Sequence, residues 1–371
     1  MYIYENPEWP EFRWDNGKLL PLLSSVRYQQ GKLVGRMGTL GFELQNQANL
    51  QILTLDVLKT TEIEGEILNP DQVRSSLARR LGLKIPGLVE SDRDVDGIVE
   101  MMLDATRHFD RELTKERLFS WHNTLFPRGY SGIKKISVGS FRDDSAGPMQ
   151  ILSGPLGRER VHFQAPKAGV LDREMDRFFK WIKEVQDIDL ILKAGIAHLW
   201  FVTLHPFDDG NGRIARAITD MLLAQSDGQI LRFYSMSSQI RREQKDYYDH
   251  LERTQKGSLE ITGWLEWFLM CLLHSLESSE TVLVKVIFKH DFWLENAGKI
   301  DNLRKRKVLN LLIDGFEGKL NTSKWAKICG CSQDTALRDI QDLLDKQILY
   351  KLPGGGRSTG YGIRMVGKGF E

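Results

Sequence analysis

Apolar residues recur at helical spacing along most of this chain, which predicts a mainly α fold. Leu50, Leu53, Val57 and Leu58 form a stripe that breaks near Gly65 and restarts after Asn69 and Pro70, as two helices joined by a tight corner would. A central helical block runs from about Asp92 to Ser278. It is interrupted once, by MQILSGPLGRERVHFQAP (Met149 to Pro166), whose alternating segments flank a Gly-Pro-Leu-Gly turn and predict a β-hairpin. Within the block, DIDLILKAGIAHLWFVTL reads as a buried helix that Pro206 ends just after His205, and GRIARAITDMLLA reads as the next helix. A separate amphipathic unit begins near Asn302 and closes on the glycine-rich LPGGGRSTGY.

At roughly 150 residues per domain, 371 residues suggest two or three domains. The formal net charge of +1 gives no overall field for a nucleic acid or a membrane, so any such partner needs a local patch. No window approaches the ~18 apolar residues of a membrane span. The start, MYIYENPEWPEFRW, lacks the basic and apolar runs of a signal peptide and is expected to be retained. Cys271, Cys329 and Cys331 form neither a disulfide framework nor a zinc pattern, which favours a reducing cytoplasm.

The chemistry concentrates in LHPFDDGNGRIAR, Leu204 to Arg216. His205 is held at a helix end, and DDGNG supplies backbone amides at the next helix N-terminus, a ready site for phosphate oxygens. Arg213 and Arg216, three residues apart, place two permanent cations towards one ligand, which suits an oligophosphate. Asp208 or Asp209 beside phosphates requires a divalent cation between them, so a magnesium nucleotide is implied. His205 is then the natural general base for an attacking hydroxyl.

HPFDDGNGR followed by Arg216 resembles the signature of the Fic family, His-x-Phe-x-Asp/Glu-Gly-Asn-Gly-Arg-x-x-Arg, at every fixed position. The resemblance implies a Fic helical core and a protein adenylyltransferase that moves AMP from ATP to a Ser, Thr or Tyr hydroxyl of a target protein, or of itself, and releases pyrophosphate. It implies that His205 deprotonates the hydroxyl, Asp209 binds Mg²⁺, and Asn211 with the amides of Gly210 and Gly212 holds the α-phosphate. Arg213 would meet the β-phosphate and Arg216 the γ-phosphate, with Phe207 packing the loop into the core. TTEIEG similarly resembles the family's inhibitory motif through Thr60, Glu64 and Gly65. Thr60 and Glu64 lie one helical turn apart, so Glu64 would pair with Arg216 in place of the γ-phosphate.

The hairpin corresponds to the family's flap, with Val161, His162 and Phe163 as candidate contacts to target or adenosine, and VGSFR (Val138 to Arg142) as its lead-in. Tyr247 and Tyr248, with Gln255, resemble an adenine pocket. His198 reads as a buried histidine satisfied by a carbonyl. SDRDVDG fails as a calcium loop because Leu103 stands where a glutamate is needed. Ser91 and Asp94 there suit a capping box instead.

The C-terminal unit resembles a winged helix-turn-helix, with Thr335, Arg338 and Gln341 on the exposed side of its recognition helix and Arg357 in the wing. From Asp301 to Glu371, 13 Lys or Arg minus 8 Asp or Glu leaves +5. Asp334, Asp339 and Asp342 on that helix would repel phosphates, which favours protein docking over DNA. The expected organisation is residues 1–90 as an N-terminal helical region, 91–280 as the catalytic core, and 281–371 as linker helix and winged helix; family resemblance also implies a homodimer. Rival readings are removal of AMP, another nucleotide or phosphocholine as donor, and a DNA-binding regulator that senses nucleotide.

Overall fold

The computed structural model describes all residues except 146, 155–157, 159, 317, 354–358 and 365–371. The fold is mainly α, and the chain divides into two compact units, Met1–Glu280 and Thr281–Glu371. Among the described residues no helix is long and apolar enough to cross a membrane, and all three cysteines are free thiols.

In the first unit, α1 (Asn16–Gly38) begins at Asp15, whose carboxylate accepts from the N–H groups of Gly17 and Lys18. The stripe read from the sequence lies on α2 (Phe42–Ile63), which buries Leu50, Leu53 and Val57 and is followed by Glu64 and by Gly65 at φ 84°. The corner is completed by Asn69, which caps α3 (Pro70–Arg80). The next helix, α4 (Arg93–Arg107), is capped by Asp92 accepting from the Val95 N–H, so the expected Ser91/Asp94 capping box does not form. Ser91 instead donates to Asp96 at 2.8 Å. Helix α5 (Lys115–Leu125) follows.

Two antiparallel hairpins follow, where the sequence pattern predicted one. The first pairs β1 (Tyr130–Ser131) with β2 (Lys134–Lys135) and is too short for any alternation to show. The second pairs β3 (Gln150–Ser153) with β4 (Arg160–Gln164), from Gln150 opposite Gln164 to Ser153 opposite Arg160. Residues 155–157 of its turn lie outside the described residues.

The unit is completed by α6 (Leu171–Glu184), α7 (Leu190–Leu204), α8 (Asn211–Asp227), α9 (Met236–Arg242), α10 (Gln244–Gln255) and α11 (Thr262–Asn296), within which the division of the chain falls. Every residue of α7 from Ile191 to Leu204 is buried, as expected of a helix apolar on all sides. It packs on α8 and α6, while α2 packs on α9 and α8. The first 90 residues therefore share one core with those that follow rather than standing apart from them.

In the second unit, α12 (Leu303–Asp314), α13 (Thr322–Cys329) and α14 (Gln333–Asp345) enclose Val308, Trp325, Ala336, Ile340 and Leu343. A small antiparallel sheet of β5 (Leu349–Lys351) and β6 (Tyr361–Ile363) closes it. On α14, Arg338 and Gln341 are exposed, whereas Thr335 is half-buried and bonded to Ser332. Asp339 and Asp342 are not free to repel an anion: Arg304 meets Asp339 at 3.0 Å, and Lys305 and Lys346 meet Asp342. Asp334 is exposed. Arg357 lies outside the described residues.

Candidate active site

The loop between α7 and α8 is set by local backbone chemistry. His205 caps α7 in the left-handed region, φ 47° and ψ 58°, a conformation that a non-glycine residue holds only when its surroundings enforce it. Arg142, fully buried, supplies that enforcement. Its Nε donates to the His205 carbonyl at 2.8 Å, a terminal nitrogen donates to Pro166 O at 2.5 Å, and its backbone N–H donates to Pro206 O at 2.9 Å. Asp144 balances its charge at 2.9 Å. The sequence reading noted Arg142 only as part of a lead-in and gave it no role.

The rest of the loop is clamped from within. Asn211 accepts from the Phe207 N–H at 2.9 Å and donates to the Phe207 carbonyl at 2.8 Å. Each end of its amide thus makes one bond to the loop, and because an amide nitrogen carries two protons the expected contact to a phosphate stays open. Phe207 is fully buried, and the His122 ring stacks on it at 4.1 Å. Gly139 donates to His122 Nδ1 at 3.2 Å, so Nε2 carries the proton and donates to the Asp209 carbonyl, also at 3.2 Å. Burial pushes the His122 imidazolium down to about 4, so the ring stays neutral. Gly210 begins α8 at φ 82°, where a side chain would be strained. Asp208 accepts from the Ser137 N–H at 3.0 Å.

The cations of the motif separate. Arg216 is buried, and its guanidinium donates to Glu64 at 2.6 Å, to the Thr60 hydroxyl at 2.7 Å and to the Thr60 carbonyl at 2.8 Å. Burial works against its charge, and the Glu64 carboxylate together with Tyr247 and Tyr248 outweighs this, so its pKa is raised. Arg213 turns to Glu66 at 2.9 Å, with Asp209 at 3.6 Å, and does not line the cavity that holds Arg216. The expectation that both arginines face one ligand is therefore not met in this arrangement. The buried Nε of Arg213 nevertheless has no hydrogen-bond partner among the described residues, a donor left ready for an anion.

A cavity of about 580 Å³ joins the remaining candidates. It is lined by Glu64, His205, Gly212 and Arg216, by Ser153, His162 and Phe163 of the hairpin, and by Tyr247, Tyr248 and Gln255 of α10. A Cβ on Gly212 would lie 2.2 Å from a Glu64 carboxylate oxygen, so only glycine leaves space for that carboxylate. His205 Nδ1 lies 3.3 Å from Val202 O, which directs its proton there and leaves Nε2 as the acceptor. Burial pushes His205 down to about 4. Tyr247 is buried and bonds His198 at 2.9 Å, while Tyr248 is 44% exposed and Gln255 donates to Thr203 at 3.2 Å. His198 is satisfied by the hydroxyls of Thr219 and Tyr247 rather than by a carbonyl. On the hairpin, Phe163 is buried against Tyr2 and Tyr4, His162 meets Glu252, and Val161 is exposed but does not line the cavity.

Asp209, in the same loop, does not line this cavity. Its carboxylate accepts from the Ser131 hydroxyl and the Gly210 N–H, which orients it, and its side chain remains 38% exposed. Among the described residues no three His, Cys, Asp or Glu side chains converge as a protein-only metal site. One oriented carboxylate beside phosphate donors is, however, a donor set that fits magnesium shared with a nucleotide.

Residues 112–223 match the Fic/DOC family, and residues 2–83, which contain Glu64, match a domain of unknown function, DUF4172. Protein adenylyltransferase fic-1 of Caenorhabditis elegans is 28% identical over 174 residues, covering 46% of this chain and 32% of that protein. Protein adenylyltransferase Fic of Nematostella vectensis is 30% identical over 112 residues, covering 29% and 24%. The matches thus span about a third or less of these two relatives' lengths. A crystal structure of a Fic family protein from Desulfovibrio desulfuricans G20 shares the fold, with TM-score 0.52 and 17% identity over 94% of this chain and 97% of that one. The chain thus carries a region similar to the Fic/DOC family over residues 112–223, within a fold shared with a Fic family protein.

Proposed function

We propose that this protein is a magnesium-dependent adenylyltransferase that moves AMP from ATP to a hydroxyl of a target protein, and that Glu64 holds the reaction down. One observation carries the reading: Glu64 sits on Arg216 at 2.6 Å, in the cavity that His205 faces. A carboxylate there occupies the place of a terminal phosphate, so the triphosphate is misaligned until Glu64 leaves. His205 takes the target's proton at Nε2. A base at about 4 is weak, but the negative charge of a bound triphosphate favours the imidazolium and raises it towards the working range.

In this account the amides of Gly210 and Gly212 face the α-phosphate, Arg216 the γ-phosphate and Arg213, through its free Nε, the β-phosphate. Asp209 would hold magnesium, which when bound neutralises phosphate charge. Tyr248 offers a face to adenine, and the buried Tyr247 supports it through His198. The hairpin of β3 and β4 serves as an edge to which an extended target segment adds. The C-terminal unit acts as a winged helix that docks a protein. Incubation with α-labelled ATP is the test: label entering protein supports transfer, and nucleotide binding without transfer, even in Glu64→Gly, makes the site a sensor.

A further inference from the structure

Three side chains in the cavity wall form a continuous hydrogen-bonded chain that the scheme above does not use. Ser153 on β3 and His162 on β4 meet across the hairpin, hydroxyl to Nε2, and His162 Nδ1 lies 2.6 Å from the Glu252 carboxylate on α10. All three line the cavity that also holds His205 and Arg216. Lys256 and Arg160 donate to Glu252 at 2.6 and 2.9 Å, and the Lys256 and His162 hydrogen bonds hold its carboxyl at about 2, so it is ionised at neutral pH. An ionised carboxylate on Nδ1 keeps the ring's proton there and leaves Nε2 to accept from the serine, the arrangement that activates a hydroxyl as a nucleophile. The other cavity hydroxyls lack it. Tyr247 is spent on His198, and Tyr248 is held protonated by burial and by Glu64.

We propose that Ser153 is an AMP acceptor within this chain, with His162 as its base and Glu252 positioning the ring; this rests on the adenylyltransferase reading. A bond forms between Ser153 Oγ and the α-phosphorus as the bond from that phosphorus to the bridging oxygen breaks. The hydroxyl proton passes to His162 Nε2, and pyrophosphate leaves with the electron pair.

The test uses the full chain carrying Glu64→Gly, with ATP and magnesium, followed by peptide mapping in a mass spectrometer. The expected result is one AMP on Ser153, formed roughly 100-fold more slowly after His162→Ala, the scale of general-base catalysis, and restored by added imidazole. Rescue by imidazole separates proton transfer from a merely structural role. AMP mapped only elsewhere in the chain, or an undiminished rate in His162→Ala, overturns the inference. Label on proteins of a cell extract with Ser153 unmodified also overturns it while leaving transfer standing. Label on nothing removes the transfer reading and this inference with it.

Discussion

Glu64 and Arg216 are separated by 152 positions in sequence and by 2.6 Å in space. The pair is asymmetric in burial: Arg216 is 2% exposed at its side chain and Glu64 29%. The guanidinium is held by burial while the carboxylate is open to solvent, the asymmetry that the proposed block at Arg216 requires.

Thr60 steadies the Arg216 guanidinium, and with it the proposed block, by accepting from its Nε. Thr60→Val keeps the shape and removes the acceptor, a loss of about 1 kcal/mol for one hydrogen bond. The expected outcome is a rise of roughly fivefold in AMP transfer, smaller than that of Glu64→Gly, measured as label per unit time. A rate unchanged from the parent would show that Thr60 plays no part in the block.

Arg142 holds the left-handed His205 through its carbonyl. Arg142→Ala leaves buried carbonyls at His205 and Pro166 without this donor, at about 1–3 kcal/mol each. In the Glu64→Gly background we expect kcat to fall at least roughly 10-fold as His205 loses its setting, together with a lower urea midpoint. Full activity with a lower midpoint would confine Arg142 to stability.

Asn211 clamps Phe207 through both ends of its amide. Asn211→Ala removes two buried hydrogen bonds and should destabilise the first unit by about 2 kcal/mol, read by denaturant unfolding. Asn211→Asp keeps the acceptor but sets a carboxylate against the Phe207 carbonyl, so it should be no better. Unchanged stability in both would contradict the clamp.

Burial sets His122 and His205 at about 4 and His198 at about 3, against 6.5 for an ordinary imidazole. As pH falls below about 6.5 the unfolded chain takes up these protons while the folded chain does not. Stability contributed by the neutral rings is thus complete above about 6.5 and is lost as pH falls towards 4. Asp220 and Asp227, raised by burial, work in the opposite sense. Imidazole resonances followed by NMR separate the two: these three rings should remain neutral at about pH 5.5, and titration of any of them near 6.5 would refute its burial as the controlling effect.

What the sequence disclosed follows its spacing. His205 to Arg216 is contiguous, so the order of residue types alone announced a helix end, an amide-rich loop and two cations. Thr60 and Glu64 were readable because a turn of helix puts them on one face. Arg142 and His122 were not assigned roles, since they reach the loop from 63 and 87 positions away and no local periodicity marks a side chain that bonds a distant carbonyl. The partners of Arg213 and of the aspartates on α14 were missed for the same reason: the pattern shows where charges lie along the chain, and the fold decides which ones neutralise each other. The Ser153, His162 and Glu252 chain needed both the hairpin register and the position of α10.

The most direct measurement compares the parent, Glu64→Gly and Glu64→Gly/His205→Ala, each incubated with α-labelled ATP, magnesium and cell extract. The account predicts little label with the parent, at least roughly 10-fold more with Glu64→Gly, the gain of freeing about 1.4 kcal/mol of misalignment, and loss of label from the extract with the double variant. Equal label from the parent and Glu64→Gly would contradict the block at Arg216, and undiminished labelling of the extract without His205 would contradict the site itself.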